Sequence, residues 1–252
     1  MYPLLAVVSG KPSQRRVNYD GFLSACMVVF ENSAGVSLFP VENNTANLVS
    51  FTSPSTITVG IDKKPPVVGL MLAASGNVFA NTSPITTNII GDIPPIGYDT
   101  QWVQQTITDG INNKLCVSTS VDNPQTRDSQ YLNFTYGDIN KIDVTAIMTY
   151  YKSNIGTLSQ VGTPSTSSTT LGRTLTIDFP QGTSKGNWAI VTLHHQFALV
   201  TPSGWELDVT GRIIGSHPNT QIDQKQTSVS VFRKKIDQQD IDEGSVTFNT
   251  VG

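Results

Sequence analysis

The sequence predicts an all-β protein made of two tandem antiparallel β-sandwich domains, of jelly-roll or Ig-like type, with little helix. Composition and a repeated order of strand-like segments support this prediction. The 252 residues include 30 Thr, 24 Ser, 20 Gly and 14 Pro, and 14% are charged, against about 25% in an average globular protein. Thr suits a pleated, half-buried surface, while Gly and Pro mark turns. This composition is typical of many strands joined by turns, and it excludes helical bundles and coiled coils.

Strand-like segments recur in the same order in the two halves of the chain. Four pairs of segments correspond: residues 56–59 and 174–179, 67–72 and 188–193, 115–117 and 229–231, and 132–136 and 246–250. The second pair is almost continuously apolar, which predicts core strands. The other segments alternate apolar and polar residues, which predicts strands with one buried face. This repeat predicts two homologous sandwiches.

The boundary between the two domains is predicted within residues 153–170, where Ser, Thr, Gly and Pro dominate. Such a stretch is typical of a linker or long surface loop. The predicted domains are therefore residues 1–155, which include an N-terminal arm, and residues 156–252.

One predicted strand of the first half, residues 143–151, has no counterpart in the second half. We expect this strand to lie beside residues 132–136 as a meander. The second sandwich is then one strand short, with an exposed edge beside Val246 and Phe248. Residues 2–9, from the same or an adjacent subunit, are predicted to cover that edge as a strand, so deleting residues 1–10 is expected to destabilise the fold or abolish assembly. The candidate subunit contacts are Leu4, Leu5, Val7, Arg15 and Arg16. For Arg15 and Arg16, which lie in a polar segment, a solvated loop is the alternative.

Two segments depart from the strand pattern. Residues 99–110 predict a helix, because Trp102, Val103, Thr106 and Ile107 share one helical face and Gly110 suits the exit. Residues 233–244 mix basic and acidic side chains, which is typical of a solvated loop.

Charge and hydropathy narrow the possible partners. The net charge is −3, and a protein without a basic field has little attraction for a phosphate backbone, so no nucleic-acid partner is predicted. No window of 18 apolar residues occurs, which predicts no membrane insertion. The first ten residues lack the basic start and apolar core of a secretion signal. We therefore expect a protein made in the cytoplasm without a signal peptide.

No combination of residues predicts catalysis, a cofactor or a metal site. The sequence has no nucleophile elbow, no zinc-protease motif and no phosphate-binding glycine loop. His194 and His195 are adjacent, so on a strand they face opposite sides and do not share one metal ion. Cys26 and Cys116 predict two separate buried thiols, with a single disulfide as the alternative. A glycosidase with two carboxylates far apart in sequence stays open as a third class of function.

Trp205 is the most distinctive residue of the second half, because it follows the turn Pro202-Ser203-Gly204. An exposed Trp on a sandwich loop stacks on sugar rings, which would make the protein a carbohydrate-binding adhesin. The alternative is that the turn places Trp205 as a plug over the end of the sandwich. The packing interpretation is the one we favour.

Four motifs follow one another within residues 165–250 of the second half. They are an apolar strand opened by Gly186-Asn187, the turn ending in Trp205, a strand ending Phe232-Arg233-Lys234, and residues 244–248. Together they resemble the β-sandwich modules of structural proteins of tailed bacteriophages. This resemblance implies a non-enzymatic virion protein, displayed in many copies on a tail, baseplate or capsid surface. The implied partners are other virion proteins and copies of itself, with a cell-surface glycan as partner in the adhesin alternative.

Overall fold

A computed structural model of the chain describes residues 23–35, 37–50, 55–61, 69–78, 86–90, 103–108, 113–122, 130–136, 142–153, 155–169, 172–214 and 226–251. These residues form sixteen strands and one short helix. The elements are β1 (Leu23–Asn32), β2 (Phe39–Ser50), β3 (Ser55–Ile61), β4 (Gly69–Val78), β5 (Thr86–Ile90), β6 (Val103–Thr108), β7 (Asn113–Asp122), β8 (Gln130–Tyr136), β9 (Ile142–Lys152), β10 (Leu158–Thr169), β11 (Thr174–Asp178), β12 (Trp188–His195), β13 (Leu199–Val200), β14 (Glu206–Ile214), β15 (Gln226–Lys235), α1 (Gln238–Glu243) and β16 (Ser245–Thr250). The predicted all-β class is confirmed.

The described strands form four antiparallel sheets. The N-terminal five-stranded sheet has the order β2-β9-β4-β7-β6, and the N-terminal three-stranded sheet has the order β3-β8-β5. The C-terminal five-stranded sheet has the order β10-β1-β12-β15-β14, and the C-terminal three-stranded sheet has the order β11-β16-β13. No helix within the described residues is both long and apolar enough to cross a membrane.

The same strand order occurs in both halves of the chain. Counting from β2, the five-stranded sheet holds the first, eighth, third, sixth and fifth strands, and the three-stranded sheet holds the second, seventh and fourth. Counting from β10, the corresponding sheets show the same positions, except that β1 stands in the eighth place. The four pairs of segments matched in the sequence therefore occupy equivalent places in the sheets, namely β3 and β11, β4 and β12, β7 and β15, and β8 and β16.

Strand β1 supplies the strand that the second half lacks. It pairs antiparallel with β10 and with β12, as β9 pairs with β2 and with β4. The predicted open edge beside Val246 and Phe248 is wrong on one side of β16, where β11 pairs with Ser245 to Asn249. On the other side, β13 pairs with Asn249 and Thr250. The predicted meander is also wrong, since β8 and β9 belong to different sheets. Residues 2–9, predicted as the covering strand, lie outside the described residues.

Three apolar clusters explain which faces of the strands are buried. One cluster combines residues of the two N-terminal sheets, such as Met71 and Phe134, and another combines residues of the two C-terminal sheets, such as Val191 and Phe248. The third joins the two five-stranded sheets and includes Leu72 and Ile190. The central strands β1 and β12 are therefore buried on both faces, which explains their nearly continuous apolar sequences. The result is a layered, β-sandwich-like arrangement.

The two five-stranded sheets approach closely at glycines. A Cβ atom added to Gly76 of β4 would lie 2.4 Å from Cδ2 of His194 and 2.6 Å from Cγ2 of Val229. One added to Gly211 of β14 would lie 2.5 Å from Cγ2 of Thr145. Glycine at these positions lets the backbone of one sheet pack directly on side chains of the other.

Two predicted non-strand segments are strands in the structure. The predicted linker within residues 153–170 contains β10, which lies at a sheet edge and pairs with β1. Six of its twelve residues are exposed and five are half-buried. Edge strands tolerate Pro and hydroxyl residues, so the composition of this strand resembles that of a loop. In the predicted helix over residues 99–110, the described part is β6, because Val103–Thr108 pairs with β7.

Candidate functional site

A cavity of about 210 Å³ opens beside β13, at the edge of the C-terminal three-stranded sheet. Three strands of this sheet face five strands of the other, so the inner face of β14 and β15 is left partly uncovered by the described residues. We call this cavity the β13 slot. Its lining includes His195, Leu199, Leu207, Thr210, Ser230 and Phe232. The slot combines an apolar rim with a polar floor.

A chain of hydrogen bonds forms the floor of the β13 slot. Nδ1 of His195 lies 2.6 Å from the carbonyl oxygen of Phe197, and Nε2 lies 2.8 Å from Oγ of Ser230. A carbonyl only accepts, so Nδ1 carries the proton and Nε2 of the neutral ring accepts from Ser230. Oγ1 of Thr210, 2.9 Å from Oγ of Ser230, then donates to it. The chain runs in one direction and satisfies each group in its interior.

Both histidines of β12 are held neutral. Burial lowers the pKa of His195 to about 4, although the hydrogen bond to Phe197 acts in the opposite direction. Burial holds the pKa of His194 well below its ordinary value, and the nearby His195 is a smaller cause in the same direction. A histidine with a pKa near 4 is a weak general base at neutral pH. The contact between His195 and Ser230 is therefore suited to structure rather than to nucleophile activation.

We expect the free energy of unfolding to fall as the pH is lowered from about 6.5 to 4. The folded-state pKa of His195 lies below the unfolded value, so protons bind preferentially to the unfolded chain in this range. A shift from 6.5 to about 4 corresponds to about 3 kcal/mol. Urea unfolding at pH 7.5 and pH 4 measures the loss, which should be about 3 kcal/mol smaller in His195→Gln. An equal pH dependence in both proteins would contradict the assignment.

A buried ionic group connects the two five-stranded sheets. Nε of Arg233 donates to Oδ1 of Asp208 at 2.9 Å, and Oη of Tyr151 donates to Oδ2 of the same carboxylate at 2.7 Å. Nη1 of Arg233 donates to the carbonyl oxygen of Leu38 at 3.0 Å, and the guanidinium lies 5.5 Å from the ring centre of Trp188. Asp208 and Arg233 belong to the C-terminal sheet, whereas Tyr151 belongs to the N-terminal one. We call this group the Arg233 network.

The predicted solvated loop at residues 233–244 is wrong for much of its length. Arg233 ends a buried stretch of β15, and α1 begins with Asp237 as N-cap in a reciprocal capping box with Asp240. Nζ of Lys234 donates to Oδ1 of Asp240 at 2.6 Å. The Asp-x-x-Asp spacing at residues 237–240 was an available signal for a helix start, and it was missed because the charges were interpreted as a solvated surface.

Trp205, the candidate carbohydrate contact, lies in the apolar cluster between the two C-terminal sheets. Trp205 is 6% exposed, and its ring packs edge-to-face on the ring of Phe248, with the ring centres 5.7 Å apart. A ring in this position presents little surface to a sugar, so the structure favours the packing interpretation. The groove of about 430 Å³ beside it is lined mainly by polar residues such as Lys234, Asp237 and Glu243.

The predicted subunit contacts lie in a part of the chain that the structure does not describe, whereas both cysteines are described. Leu4, Leu5, Val7, Arg15 and Arg16 lie outside the described residues. Cys26 and Cys116 are buried thiols that form no disulfide, as the favoured prediction states, and burial raises the pKa of Cys26 to about 12, with Cys116 as a smaller cause. In the part of the chain that the structure describes, no group of three or more His, Cys, Asp or Glu is placed to hold a metal ion.

Three comparisons with known proteins found no relative of this chain. No protein-family model, no curated protein and no solved structure matches the chain.

Proposed function

We propose that the protein is a non-enzymatic structural component of a virion, present in many copies on the tail, baseplate or capsid surface of a tailed bacteriophage. In the same proposal, the four sheets form two jelly-roll β-sandwiches that pack back to back through their five-stranded sheets. The main support is the strand order, which both halves repeat in the same way.

The strand order supports the jelly-roll assignment strand by strand. In an eight-stranded jelly roll, the first, eighth, third and sixth strands form one sheet, and the remaining four form the other. Both halves have this order except at the fifth strand, which pairs with the sixth: β6 with β7, and β14 with β15. A shared departure from the pattern indicates that the halves are variants of one unit. Jelly rolls are common in viral capsid and lectin domains.

The chemistry of the described residues favours assembly over catalysis. The Arg233 network and the apolar cluster between the five-stranded sheets hold the two halves together, which suits a rigid building block. The contact between His195 and Ser230 lacks a base of suitable pKa, as argued above. Since a fold by itself does not decide function, the virion assignment rests on this architecture together with the resemblance of residues 165–250 to phage modules.

Mass spectrometry of purified particles tests the proposal. Particles from the culture that expresses the protein should contain it at many copies relative to their other components, and gold-labelled antibodies should then locate it on the tail, baseplate or capsid. A protein that is abundant in the lysate and absent from intact particles would overturn the proposal. Glycan titration followed by Trp fluorescence separates the adhesin class, because tight, saturable binding by the native protein would support an adhesin instead.

A further inference from the structure

Strand β14 forms one wall of the β13 slot. Its residues Leu207, Thr210 and Arg212 line the slot. Each of them pairs with a residue of β15 that also lines it, and paired residues of antiparallel strands lie on the same face of the sheet. The register of the two strands shifts between Leu207 and Val209, which explains why Leu207 and Thr210 share a face although they are three residues apart. The wall therefore has an apolar end and a cationic end.

The apolar end of this wall is open to solvent. Leu207 is 50% exposed, and Leu199 and Phe232 also line the slot. Covering such a surface with an apolar group is favourable, because it removes apolar area from water. His195 and Ser230 in the floor already have their hydrogen-bond partners. An apolar chain placed over the floor therefore leaves neither group without a partner.

The charge of the slot favours an anion. Arg212 is exposed, and no carboxylate occurs among the described residues that line the slot. The two acidic residues of β14, Glu206 and Asp208, instead bind Arg233 in the network between the five-stranded sheets. His195 is neutral, as described above. The slot lining therefore carries one positive charge, and a guanidinium binds a carboxylate through two parallel hydrogen bonds.

We infer that the β13 slot binds a short aliphatic carboxylate, with the carboxylate at Arg212 and the chain over Leu207 and Phe232. The cavity of about 210 Å³ sets the size of this ligand. A water molecule occupies about 30 Å³ in the liquid, so the slot holds about seven non-hydrogen atoms, which is close to the size of hexanoate. Drug-sized ligands need larger pockets, of about 300–1,000 Å³.

Calorimetric titration of the isolated full-length protein with hexanoate at pH 7.5 tests this inference independently of any virion role. Hexanoate should bind to one site per chain, with a Kd of about 1 mM as expected for so small a ligand. Hexylamine has the same chain and the opposite charge, whereas acetate has the same charge and almost no chain. Neither compound should saturate the protein over the same concentration range.

Methyl NMR locates the bound hexanoate. The methyl resonances of Leu199 and Leu207 should shift during the titration. Those of Val121, which is 37% exposed in β7, should stay unchanged. Saturable shifts that spare both leucines would place hexanoate elsewhere and overturn the inference.

Two substitutions separate the contributions of charge and chain. Arg212→Gln should raise the Kd for hexanoate about fivefold, because it removes the cation that pairs with the carboxylate. Leu207→Ala should also raise the Kd, because it removes apolar surface under the chain. Both residues are exposed, so neither change should prevent folding. The matched control is Arg173→Gln, since Arg173 is exposed just before β11 and does not line the slot.

The inference is supported if hexanoate saturates the protein and if Arg212→Gln weakens its binding while Arg173→Gln keeps the Kd of the wild type. Three results would overturn it: no saturation by hexanoate, equal binding of hexanoate and hexylamine, or an equal change of Kd in the two arginine variants.

Discussion

A chain that begins at Ser33 and carries residues 22–32 after Gly252 is expected to fold, whereas the same chain without the added residues is expected not to. This is the largest effect we expect of any change. Strand β1 lies in the centre of the C-terminal five-stranded sheet, between β10 and β12. Removing it leaves both neighbours with unpaired backbone groups and opens two apolar clusters at once.

The magnitude follows from the burial of β1. Eight consecutive residues of this strand, Leu23 to Phe30, are buried, and five of them are the large apolar residues Leu23, Met27, Val28, Val29 and Phe30. Full burial of one such side chain contributes about 1.5–3 kcal/mol. The loss of these five side chains alone is comparable to the whole stability of a typical domain, about 5–15 kcal/mol.

The permuted chain is expected to fold because β1 stands where the eighth strand of the repeat belongs. In the first half, five residues join β8 to β9. The permuted chain needs a similar connection from β16 to β1, which Val251, Gly252 and a Gly-Ser linker of about four residues provide. Circular dichroism and thermal unfolding compare this chain with a chain that lacks residues 1–20 and keeps β1. If the truncated chain folds and the permuted chain does not, the equivalence of β1 and β9 is contradicted.

The structure also explains which features the sequence predicts. The apolar run at 188–193 is visible because β12 is buried on both faces. The segments at 174–179 and 246–250 alternate because β11 and β16 bury one face each. The repeat was visible for the same reason. The partner of a strand, however, is set by tertiary packing: β1 pairs with β12 across more than 150 residues of sequence, and nothing local records this pairing.

Local composition does not predict the structure where two kinds of structure, such as exposed edge strands and loops, prefer the same residue types. Strand β10 is rich in Ser and Thr, and eleven of its twelve residues are exposed or half-buried, so its composition resembles that of a loop. The Arg233 network was missed because buried and solvated charges use the same residue types. Its one local signal is the spacing of Glu206 and Asp208, which places both carboxylates on one side of β14 opposite Arg233 of β15.

Arg233→Met is expected to lower the free energy of unfolding by about 3–5 kcal/mol, as removal of one partner of a buried ion pair generally does. The side chain of Asp208 is 3% exposed, so its carboxylate would stay buried and lose its cation. Lys235→Met removes a cation from the same strand, but Lys235 is exposed, so this control should change stability by less than about 0.5 kcal/mol. Urea unfolding at pH 7.5 measures both effects.

The pH dependence separates the loss of the ion pair from a simple packing defect. Burial raises the pKa of Asp208, while Tyr151 and Arg233 oppose that rise, so the pKa should rise further in Arg233→Met. When the folded pKa of a carboxyl exceeds its unfolded pKa, the free energy of unfolding falls as the pH rises through these two values. The loss is recovered as the pH falls again. The difference in free energy of unfolding between wild type and variant should therefore be smaller at pH 4.5 than at pH 7.5.

Adding Asp208→Leu to Arg233→Met supplies the final comparison. The double variant removes both charges, and replacing a buried ion pair with apolar side chains is often neutral or stabilising. Oη of Tyr151 then loses its acceptor, which costs about 1 kcal/mol. We therefore expect the double variant to be more stable than Arg233→Met at pH 7.5 and to lose the extra pH dependence. A double variant less stable than Arg233→Met would show instead that the carboxylate stabilises the junction of the sheets without its cation, through Tyr151.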